Sequence, residues 1–362
     1  KWLDITACSS LHIENAIKTA DRYGIPKACS TEELLAVQEI EIVINLTSPD
    51  VHTEINKQIL NAGKHLYCEK PFALSLDDAK EVLALAKSKG LMVGAAPETF
   101  LGAGLQTCRK VIDEGWIGTP ISATANMICH GHETWHASPE FYYKEGAGPM
   151  LDMGPYYLTA LVSLLGPISR TACFSRIGNK ERRIYSLPNR GKAIEVEVPT
   201  TYTGIMEFAS GVSANINMTF DVWMSSMPKL EIYGSEGTLI LPDPNNFGGK
   251  IKIMRKEKVL DALNMYGGEG SSYSTEYDEL QEIPQIFMQP MEYIRGLGVL
   301  DMAYALVNGR RHRANEELIY HVTEALLSFD EAAGTGKVYN MTSTCERPEP
   351  MPRGCDIGEL YG

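Results

Sequence analysis

Short apolar stretches alternate with stretches of helical period throughout the first 95 residues of the chain. Gly24, Gly63 and Gly90 each follow a predicted helix, where a left-handed cap is favoured. Strands and helices that alternate with short connections demand a parallel sheet covered on both faces. The sequence therefore predicts an α/β, Rossmann-like, doubly wound domain. The predicted strands are residues 1–8, 42–46, 65–68 and 91–95, and the predicted helices are residues 12–23, 50–62, 75–89 and a short one that begins at residue 31.

The start of this pattern lacks a glycine-rich turn. A doubly wound sheet normally opens with a strand and such a turn, where the N-terminus of the first helix binds a pyrophosphate. Residues 1–8 are predicted to be a buried strand that belongs to a second βα unit, and no G-x-G-x-x-G sequence separates a strand from a helix. We expect one further βα unit, about 30 residues, before Lys1. The alternative is a fold that never had this unit, which would leave unpaired strand edges in the sheet.

Composition narrows the classes of function. The chain has 33 Lys and Arg against 46 Asp and Glu, and its net charge of −13 repels phosphate backbones and anionic lipid head groups. No apolar run approaches the roughly 18 residues that span a bilayer. The eight cysteines are scattered along the chain, which is typical of free thiols in a reducing compartment. We expect a cytoplasmic enzyme that binds neither nucleic acid nor membranes.

Longer alternating strands with hairpin turns replace the first pattern from about residue 119. We therefore predict a dinucleotide-binding domain at residues 1–118 and an α+β domain for substrate binding and oligomerisation at residues 119–362. A large, mainly antiparallel open sheet, apolar on both faces at residues 212–220, predicts a homo-oligomer formed through that sheet. The strands predicted in this domain are residues 120–128, 201–208, 211–220, 229–233, 237–241 and 250–254, with helices at residues 149–165, 293–308 and 315–333.

Two segments of the second domain have no regular pattern. Residues 267–277 are predicted to be a polar loop, and they resemble no phosphate-binding loop because the Lys-Ser/Thr ending is missing. Residues 342–362 contain three prolines and predict an irregular tail. This tail covers a neighbouring subunit or lies on the surface of its own domain.

Three motifs resemble those of one enzyme family. They are TSPDVH at residues 47–52, CEKP at residues 68–71 and GAGPMLDMGPY at residues 146–156. Together they resemble the glucose–fructose oxidoreductase / inositol dehydrogenase / rhizopine-catabolism (Gfo/Idh/MocA) family, whose members use NAD or NADP to oxidise or reduce sugars and polyols. Many members carry His at the position of Tyr156, whereas relatives similar to glucose–fructose oxidoreductase carry Tyr. The resemblance covers essentially the whole chain after the expected first unit.

Candidate cofactor residues follow the predicted parallel strands, because ligands of open parallel sheets bind outside the carboxyl ends of the strands. Ser9 and Ser10 present neutral hydroxyls where NAD-specific folds place an acidic residue, and no arginine lies beside them for a 2′-phosphate. The predicted cofactor is NAD, and NADP stays open. The cofactor-binding candidates are Ser9, Ser10, Thr47, Pro49, His52, Glu69 and Lys70.

Lys70, Asp152 and Tyr156 are the catalytic candidates. Pro71 restricts Lys70 to extended backbone, which can aim its ammonium into the crevice and lower the pKa of a substrate hydroxyl or a phenol. Asp152 and Tyr156 are spaced i, i+4 on a predicted helix and so share one face. Alternatively, Lys70 is a solvated surface residue and Asp152 only caps the helix. In a rotated helix, Tyr157 would face the cleft in place of Tyr156.

The sequence HETWH at residues 132–136 fits the zinc-protease motif H-E-x-x-H. That chemistry needs a helix that brings both imidazoles to one face, but Gly131 and Pro139 leave too short a helix between them. A loop that lines the substrate site is favoured, and no metal is predicted. Metal binding by His130, His132 and His136, or plain loop packing, are the alternatives. The substrate-binding candidates are His132, Trp135, His136 and Tyr156.

The residues and the resemblance together predict an oxidoreductase that moves hydride between a nicotinamide cofactor and a hydroxyl-bearing carbon of a sugar, glycoside or polyol. In such enzymes the cofactor supplies the hydride chemistry, while the protein orients the substrate and handles the proton. The alternative from another class is a regulatory protein of the same fold that binds nucleotide or sugar without turnover.

Overall fold

The computed structural model describes residues 3–265, 280–287 and 295–352. In its first part the strands and helices alternate as predicted, and every described strand pair is parallel. This confirms the Rossmann-like parallel sheet. The elements are β1 (Ala7–Ser9), α1 (Ile13–Tyr23), β2 (Lys27–Cys29), α2 (Thr31–Leu35), β3 (Ile42–Asn45), α3 (His52–Asn61), β4 (His65–Cys68), α4 (Leu76–Lys89), β5 (Val93–Ala95) and α5 (Ala103–Asp113).

The first predicted strand is shorter than expected. Lys1 and Trp2 lie outside the described residues, residues 3–6 are exposed and irregular, and β1 begins only at Ala7. The prediction of a buried strand over residues 1–8 is therefore wrong in its extent and its burial. The physical reason is that β1 is hydrogen-bonded on one side, to β2, while β3, β4 and β5 form a separate sheet among the described residues.

The second part is built on a nine-stranded sheet in the order β15-β14-β13-β12-β6-β11-β10-β7-β16. Only β6 and β11 are parallel neighbours in this described sheet, which confirms the mainly antiparallel architecture. A separate hairpin, β8–β9, was not predicted. The elements are β6 (Pro120–Ile128), α6 (Gly148–Leu165), β7 (Ile168–Arg176), β8 (Glu181–Arg183), β9 (Ala193–Glu195), β10 (Thr201–Phe208), β11 (Ser213–Thr219), β12 (Leu230–Gly234), β13 (Gly237–Leu241), β14 (Ile251–Arg255), α7 (Lys256–Met265), β15 (Gln281–Ile283), α8 (Leu297–Asn308), α9 (Glu316–Thr335) and β16 (Tyr339–Asn340).

Helix α6 packs between the inner face of this sheet and α9, and nearly all of its side chains are buried. Gly154 permits close packing of the two helices, because a Cβ at this position would lie 2.7 Å from Cδ2 of Leu326 on α9. A helix that is apolar all round is expected in such a buried position. The fixed place of α6 matters for the site, since Asp152 and Tyr156 lie on it.

The outer face of the sheet differs from the prediction. On β11 the buried residues Ala214, Ile216 and Met218 alternate with a polar outward row that includes Ser213 and Asn215. The expectation of apolar residues on both faces of residues 212–220 is therefore wrong, because side chains of a strand alternate between faces with a period of two. Large apolar side chains are exposed instead on the neighbouring strands β7 and β10, at Phe174 and Ile205.

The described part of the C-terminal segment packs on its own chain. Cys345 and Met351 are buried, and the backbone N–H of Met351 donates to Oε1 of Gln106 at 2.7 Å. The described residues 342–352 therefore lie along their own domain, with Cys345 and Met351 packed into its core. The predicted loop at residues 267–277, residues 293–294 of the predicted helix and residues 353–362 lie outside the described residues.

Two further properties of the described chain concern its environment. Seven cysteines lie in that part, and all of them are free thiols. Its helices include none with the length and apolarity required to cross a membrane.

His321 on α9 joins the sheet to the C-terminal segment. Its Nε2 accepts a hydrogen bond from the backbone N–H of Ile168 at 2.9 Å, and its Nδ1 lies 2.8 Å from Oγ of Ser343. Because the imidazole is buried and accepts this bond in its neutral form, burial lowers the pKa of His321 to about 4.

We expect acid to destabilise the protein through this residue. The unfolded chain binds a proton at a pKa of about 6.5, whereas folded His321 binds one only at about 4. Its contribution is therefore complete above pH 6.5 and is lost as the pH falls towards 4, by about 3 kcal/mol. Urea unfolding at several pH values measures this loss. A His321→Gln variant should show a shallower pH dependence, and the exposed control His12→Gln should match the wild type. Equal slopes in all three proteins would contradict the assignment.

Candidate active site

Lys70 and Asp152 meet between the two parts of the molecule. Lys70 lies in the segment after β4, and Asp152 lies in the first turns of α6. The Nζ of Lys70 donates to Oδ1 of Asp152 at 2.7 Å and to the backbone oxygen of the same residue at 2.6 Å. The two side chains are 17% and 13% exposed, so the pair is largely buried but reachable from solvent. Lys70 is therefore not a solvated surface residue.

Both members of this pair are held in their charged forms. Burial by itself would lower the pKa of Lys70, but the charge of Asp152, Tyr156, the hydrogen bond to Asp152 and the charge of Glu69 together raise it. Burial by itself would raise the pKa of Asp152, but Lys70 and a hydrogen bond from His132 outweigh burial and lower it. The pair therefore stays an ammonium and a carboxylate through the neutral pH range.

His132 is hydrogen-bonded to the second oxygen of the Asp152 carboxylate. Its Nε2 lies 2.7 Å from Oδ2, the oxygen that Lys70 does not contact. An ionised carboxylate only accepts hydrogen bonds, so Nε2 is the nitrogen that carries the proton. One carboxylate thus orients an ammonium and an imidazole at the same point.

The aromatic candidates lie at different distances from this centre. Trp135 is exposed and packs edge-on to His132, with ring centroids 5.4 Å apart. His136 packs against Trp135 at 5.3 Å, and no contact joins it to Asp152. The Lys70 Nζ lies 5.4 Å from the centroid of the Tyr156 ring.

The structure decides between the two adjacent tyrosines of α6. Tyr157 is completely buried, and its hydroxyl lies 3.5 Å from the backbone oxygen of Asn126. Tyr156 faces Lys70, and its hydroxyl lies 3.5 Å from Nη2 of Arg295. Tyr156 is therefore the tyrosine near the Lys70–Asp152 pair.

Two residues near the centre were not found from the sequence. Arg295 precedes α8 and approaches Tyr156, from which it is 139 positions away in the sequence. The sequence around Arg295 forms no motif that would indicate this contact. The Tyr142 ring lies 3.9 Å from the His132 ring. Burial, and next the negative charge of Asp152, raise the pKa of Tyr142. The run of aromatic residues at 141–143 was the available signal for Tyr142.

A second buried ion-pair network holds the loop that carries His132. The Nε of Arg182, on β8, donates to Oε1 of Glu133 at 2.7 Å, and its Nη1 donates to Oδ1 of Asp221 at 2.6 Å. Arg182 also donates to the backbone oxygen of His130 at 2.8 Å, and Tyr143 donates its hydroxyl to Glu133. The loop has no strand ladder of its own, so this network determines its position.

The structure of residues 132–136 also excludes a zinc-protease site there. Residues His132–Thr134 form one turn of 3-10 helix rather than an α-helix. Glu133, which would have to act as the general base, is buried and bonded to Arg182. In residues 3–265, 280–287 and 295–352, no group of three His, Cys, Asp or Glu side chains is arranged to hold a metal ion.

The cofactor candidates lie at the carboxyl ends of the parallel strands, with one correction. Ser9 ends β1, Thr47 lies just beyond β3, and Glu69 directly follows β4. His52 does not belong to this set. It is completely buried, and its ring nitrogens lie 2.8 Å from the backbone oxygen of Pro71 and 2.9 Å from that of Thr47. Its side chain therefore joins two loops and is not available to a cofactor.

The remaining cofactor-binding candidates stay predictions, and exposed apolar side chains lie beside two of them. Ser10 and Thr47 each have an exposed leucine beside them in the sequence, Leu11 and Leu46. Neutral hydroxyls next to uncovered apolar side chains suit the riboses and the flat rings of such a cofactor. Pro49 lies two residues after Thr47, at the start of a 3-10 turn, and is partly buried.

Comparison with known proteins identifies the family of the chain. Residues 1–96 match the family model of an oxidoreductase family with an NAD-binding Rossmann fold, and residues 105–240 match the GFO/IDH/MocA C-terminal domain. These matches place the chain among NAD-binding oxidoreductases of two-part architecture. The chain belongs to the Gfo/Idh/MocA family.

Individual relatives are more distant. An uncharacterized oxidoreductase of Schizosaccharomyces pombe is 30% identical over 187 residues, which are 48% of this chain and 50% of that protein. The chain thus spans about half the length of this relative. The 1,5-anhydro-D-fructose reductase of Ensifer adhaerens is 28% identical over 244 residues, 66% of this chain and 68% of that protein.

Solved structures show the same fold. A levoglucosan dehydrogenase in complex with NADH and levoglucosan superposes with a TM-score of 0.74 at 18% identity, over 93% of this chain and 90% of that one. An NAD binding oxidoreductase from Klebsiella pneumoniae superposes with a TM-score of 0.73 at 19% identity, over the same shares of the two chains.

We expect Arg182→Met to destabilise the protein by about 3–5 kcal/mol, because it leaves the buried carboxylate of Glu133 without its cation. Chemical denaturation measures the change. Arg183→Met is the matched control, since Arg183 is exposed and its ion pair with Glu181 lies at the surface. The double variant Arg182→Met/Glu133→Gln should recover part of the loss. A single variant as stable as the control would contradict the assignment.

Proposed function

We propose that this protein is an NAD(P)-dependent dehydrogenase that oxidises a hydroxyl-bearing carbon of a sugar, glycoside or polyol, or reduces the corresponding ketone. The observation that carries the proposal is the Lys70–Asp152–His132 cluster, where an ammonium from one part of the molecule meets a carboxylate and an imidazole from the other. Sugar-acting relatives, such as the 1,5-anhydro-D-fructose reductase, support the substrate class.

The cluster can handle the proton of a substrate hydroxyl. The Nζ of Lys70 is a cation that lowers the pKa of a hydroxyl placed beside it. In the neutral imidazole of His132, Nε2 carries the proton that points at Asp152, so the lone pair is on Nδ1, which is able to accept the substrate proton. Asp152 then stabilises the imidazolium. Tyr156 lies against Lys70 and offers a phenol as a further donor to the substrate oxygen.

A nicotinamide bound by the first part would supply the hydride chemistry. Ser9, Ser10, Thr47, Pro49 and Glu69 are the residues that we propose to hold it. We favour NAD over NADP, because no arginine lies beside Ser9 and Ser10 in the sequence to bind a 2′-phosphate. The two serines themselves supply neutral hydroxyls.

The substrate ring is proposed to lie between Tyr156 and the residues 132–136. Exposed Trp135 offers an apolar face next to His132, and His136 adds a polar group behind it. For the quaternary structure we propose a homo-oligomer through the outer sheet face, supported by the exposed Phe174 and Ile205. The free thiols of the described chain support the cytoplasm as the proposed compartment.

The test incubates the full-length protein with NAD, or with NADP, and a panel of sugars, polyols and glycosides, and records the absorbance of the reduced nicotinamide. We expect oxidation of at least one class of substrate. Lys70→Ala should lower kcat by roughly 10²- to 10⁴-fold. The control Lys57→Ala removes a lysine that pairs with Glu81 away from the cluster and should keep full activity.

The same variants separate the enzyme from the regulatory alternative. A regulatory protein would show no turnover with any compound in the panel, while nucleotide or sugar would still raise the Tm of the wild type and of Lys70→Ala. Thermal shift assays measure this. Ligand-induced stabilisation without any change in absorbance would therefore overturn the proposed dehydrogenase.

A further inference from the structure

Large apolar side chains are exposed on two segments that contact the loop of His132, and the proposed chemistry does not use them. They come from the segment after β11 and from the loop of the β8–β9 hairpin. We call this surface the aromatic wall, and it consists of Tyr185, Leu187, Trp223 and Met224. Their exposed fractions are 48%, 76%, 69% and 85%. Exposed apolar side chains grouped in this way mark a binding surface more often than isolated ones do.

His130 connects the aromatic wall to the candidate site. Trp223 stacks on His130 with ring centroids 3.3 Å apart and planes 10° apart, and Tyr185 lies at 6.3 Å from Trp223. His130 is two residues from His132, which contacts Asp152. The wall is therefore joined to the loop that carries His132, and it belongs to the second part of the molecule.

The hairpin holds its share of the wall against the same loop. The backbone N–H of Tyr185 donates to the backbone oxygen of Glu133 at 2.8 Å, and the side-chain Nδ2 of Asn189 donates to the backbone oxygen of Ala137 at 2.8 Å. Arg182, at the base of the hairpin, adds its ion pair with Glu133. The wall is thus attached to the loop that places His132.

The chemistry of the wall favours a flat apolar group. Its four side chains carry no charge, and residues 222–227, VWMSSM, carry none either. One face of the Trp223 indole lies on His130, which leaves the opposite face for a second aromatic ring. Met224 adds a thioether, which packs well against aromatic rings. A second sugar would instead place hydroxyl groups against Leu187 and Met224, where they would lose hydrogen bonds to water.

We propose that the aromatic wall is a subsite for an aromatic aglycone and that the preferred substrate is an aryl glycoside. This inference rests on the proposed function, because it places the sugar ring at the Lys70–Asp152–His132 cluster and the aglycone on Trp223.

The test uses the full-length protein with NAD and three kinds of probe: phenyl β-glycosides and methyl β-glycosides of glucose, galactose and mannose, and cellobiose. In the series that is turned over, KM for the phenyl glycoside should be about tenfold lower than for the methyl glycoside. Cellobiose should behave like the methyl glycoside. Trp223→Ala should remove this preference, so that the ratio of the two KM values approaches one. The control Tyr23→Ala removes an exposed aromatic side chain of α1 and should change neither value.

Other outcomes separate this inference from the proposed function. If neither these probes nor the panel above is oxidised with NAD or NADP, but calorimetry shows tighter binding of a phenyl than of a methyl glycoside, lost in Trp223→Ala, the dehydrogenase proposal fails and the subsite stands. If phenyl glycosides, methyl glycosides and cellobiose are oxidised with equal KM, or cellobiose matches the phenyl glycoside, the subsite is overturned. If Trp223→Ala changes the sedimentation of the protein and not the KM for phenyl glycosides, the wall is a contact between copies of the chain, and the subsite is likewise overturned.

Discussion

The ion pair between Lys70 and Asp152 is the interaction on which the candidate site depends. It joins a segment at the end of a parallel strand to the first turns of a buried helix, 82 positions further along the chain. Removing two charges from water is costly, and attraction repays that cost only when the geometry is close and the other hydrogen-bonding groups are satisfied. Here the carboxylate has one oxygen on the ammonium and the other on His132. The relative position of the two parts is thereby tied to the position of the proposed proton-handling groups.

The Arg182 network has a corresponding role for the loop. Residues 130–143 have no regular hydrogen-bond ladder, and short 3-10 turns alone would not keep His132 at one distance from Asp152. Arg182 supplies bonds to Glu133, to Asp221 and to the backbone oxygen of His130, all from a short hairpin. The molecule thus uses buried charge where secondary structure is absent. The same hairpin carries part of the aromatic wall. One element therefore both supports the loop of His132 and contributes to the proposed aglycone surface.

The two exposed apolar regions have different consequences. The outer sheet face presents Phe174 and Ile205 on regular strands, with polar residues on neighbouring β11. That arrangement suits another sheet face, which is the basis of the proposed oligomer. The aromatic wall lies instead on irregular segments joined to the loop of His132. It exposes the face of one indole ring and not a row of side chains along regular strands. Because of this difference in backbone, we propose the outer sheet face as a surface for another copy of the chain and the aromatic wall as a surface for a small molecule.

Local patterns in the sequence determined most of the fold and part of the site. Strand period, helix period and glycine caps predicted β4, β6, β10 and β13 with the bounds that the structure has, and the three motifs predicted the family. The i, i+4 spacing placed Asp152 and Tyr156 together, since spacing along one helix is a local property. Sequence alone did not find the roles of Arg182, Tyr142 and Arg295, and it misplaced His52. Burial and pairing depend on contacts between residues far apart in the chain, and only the tertiary structure decides which distant group lies within hydrogen-bond reach of a buried charge.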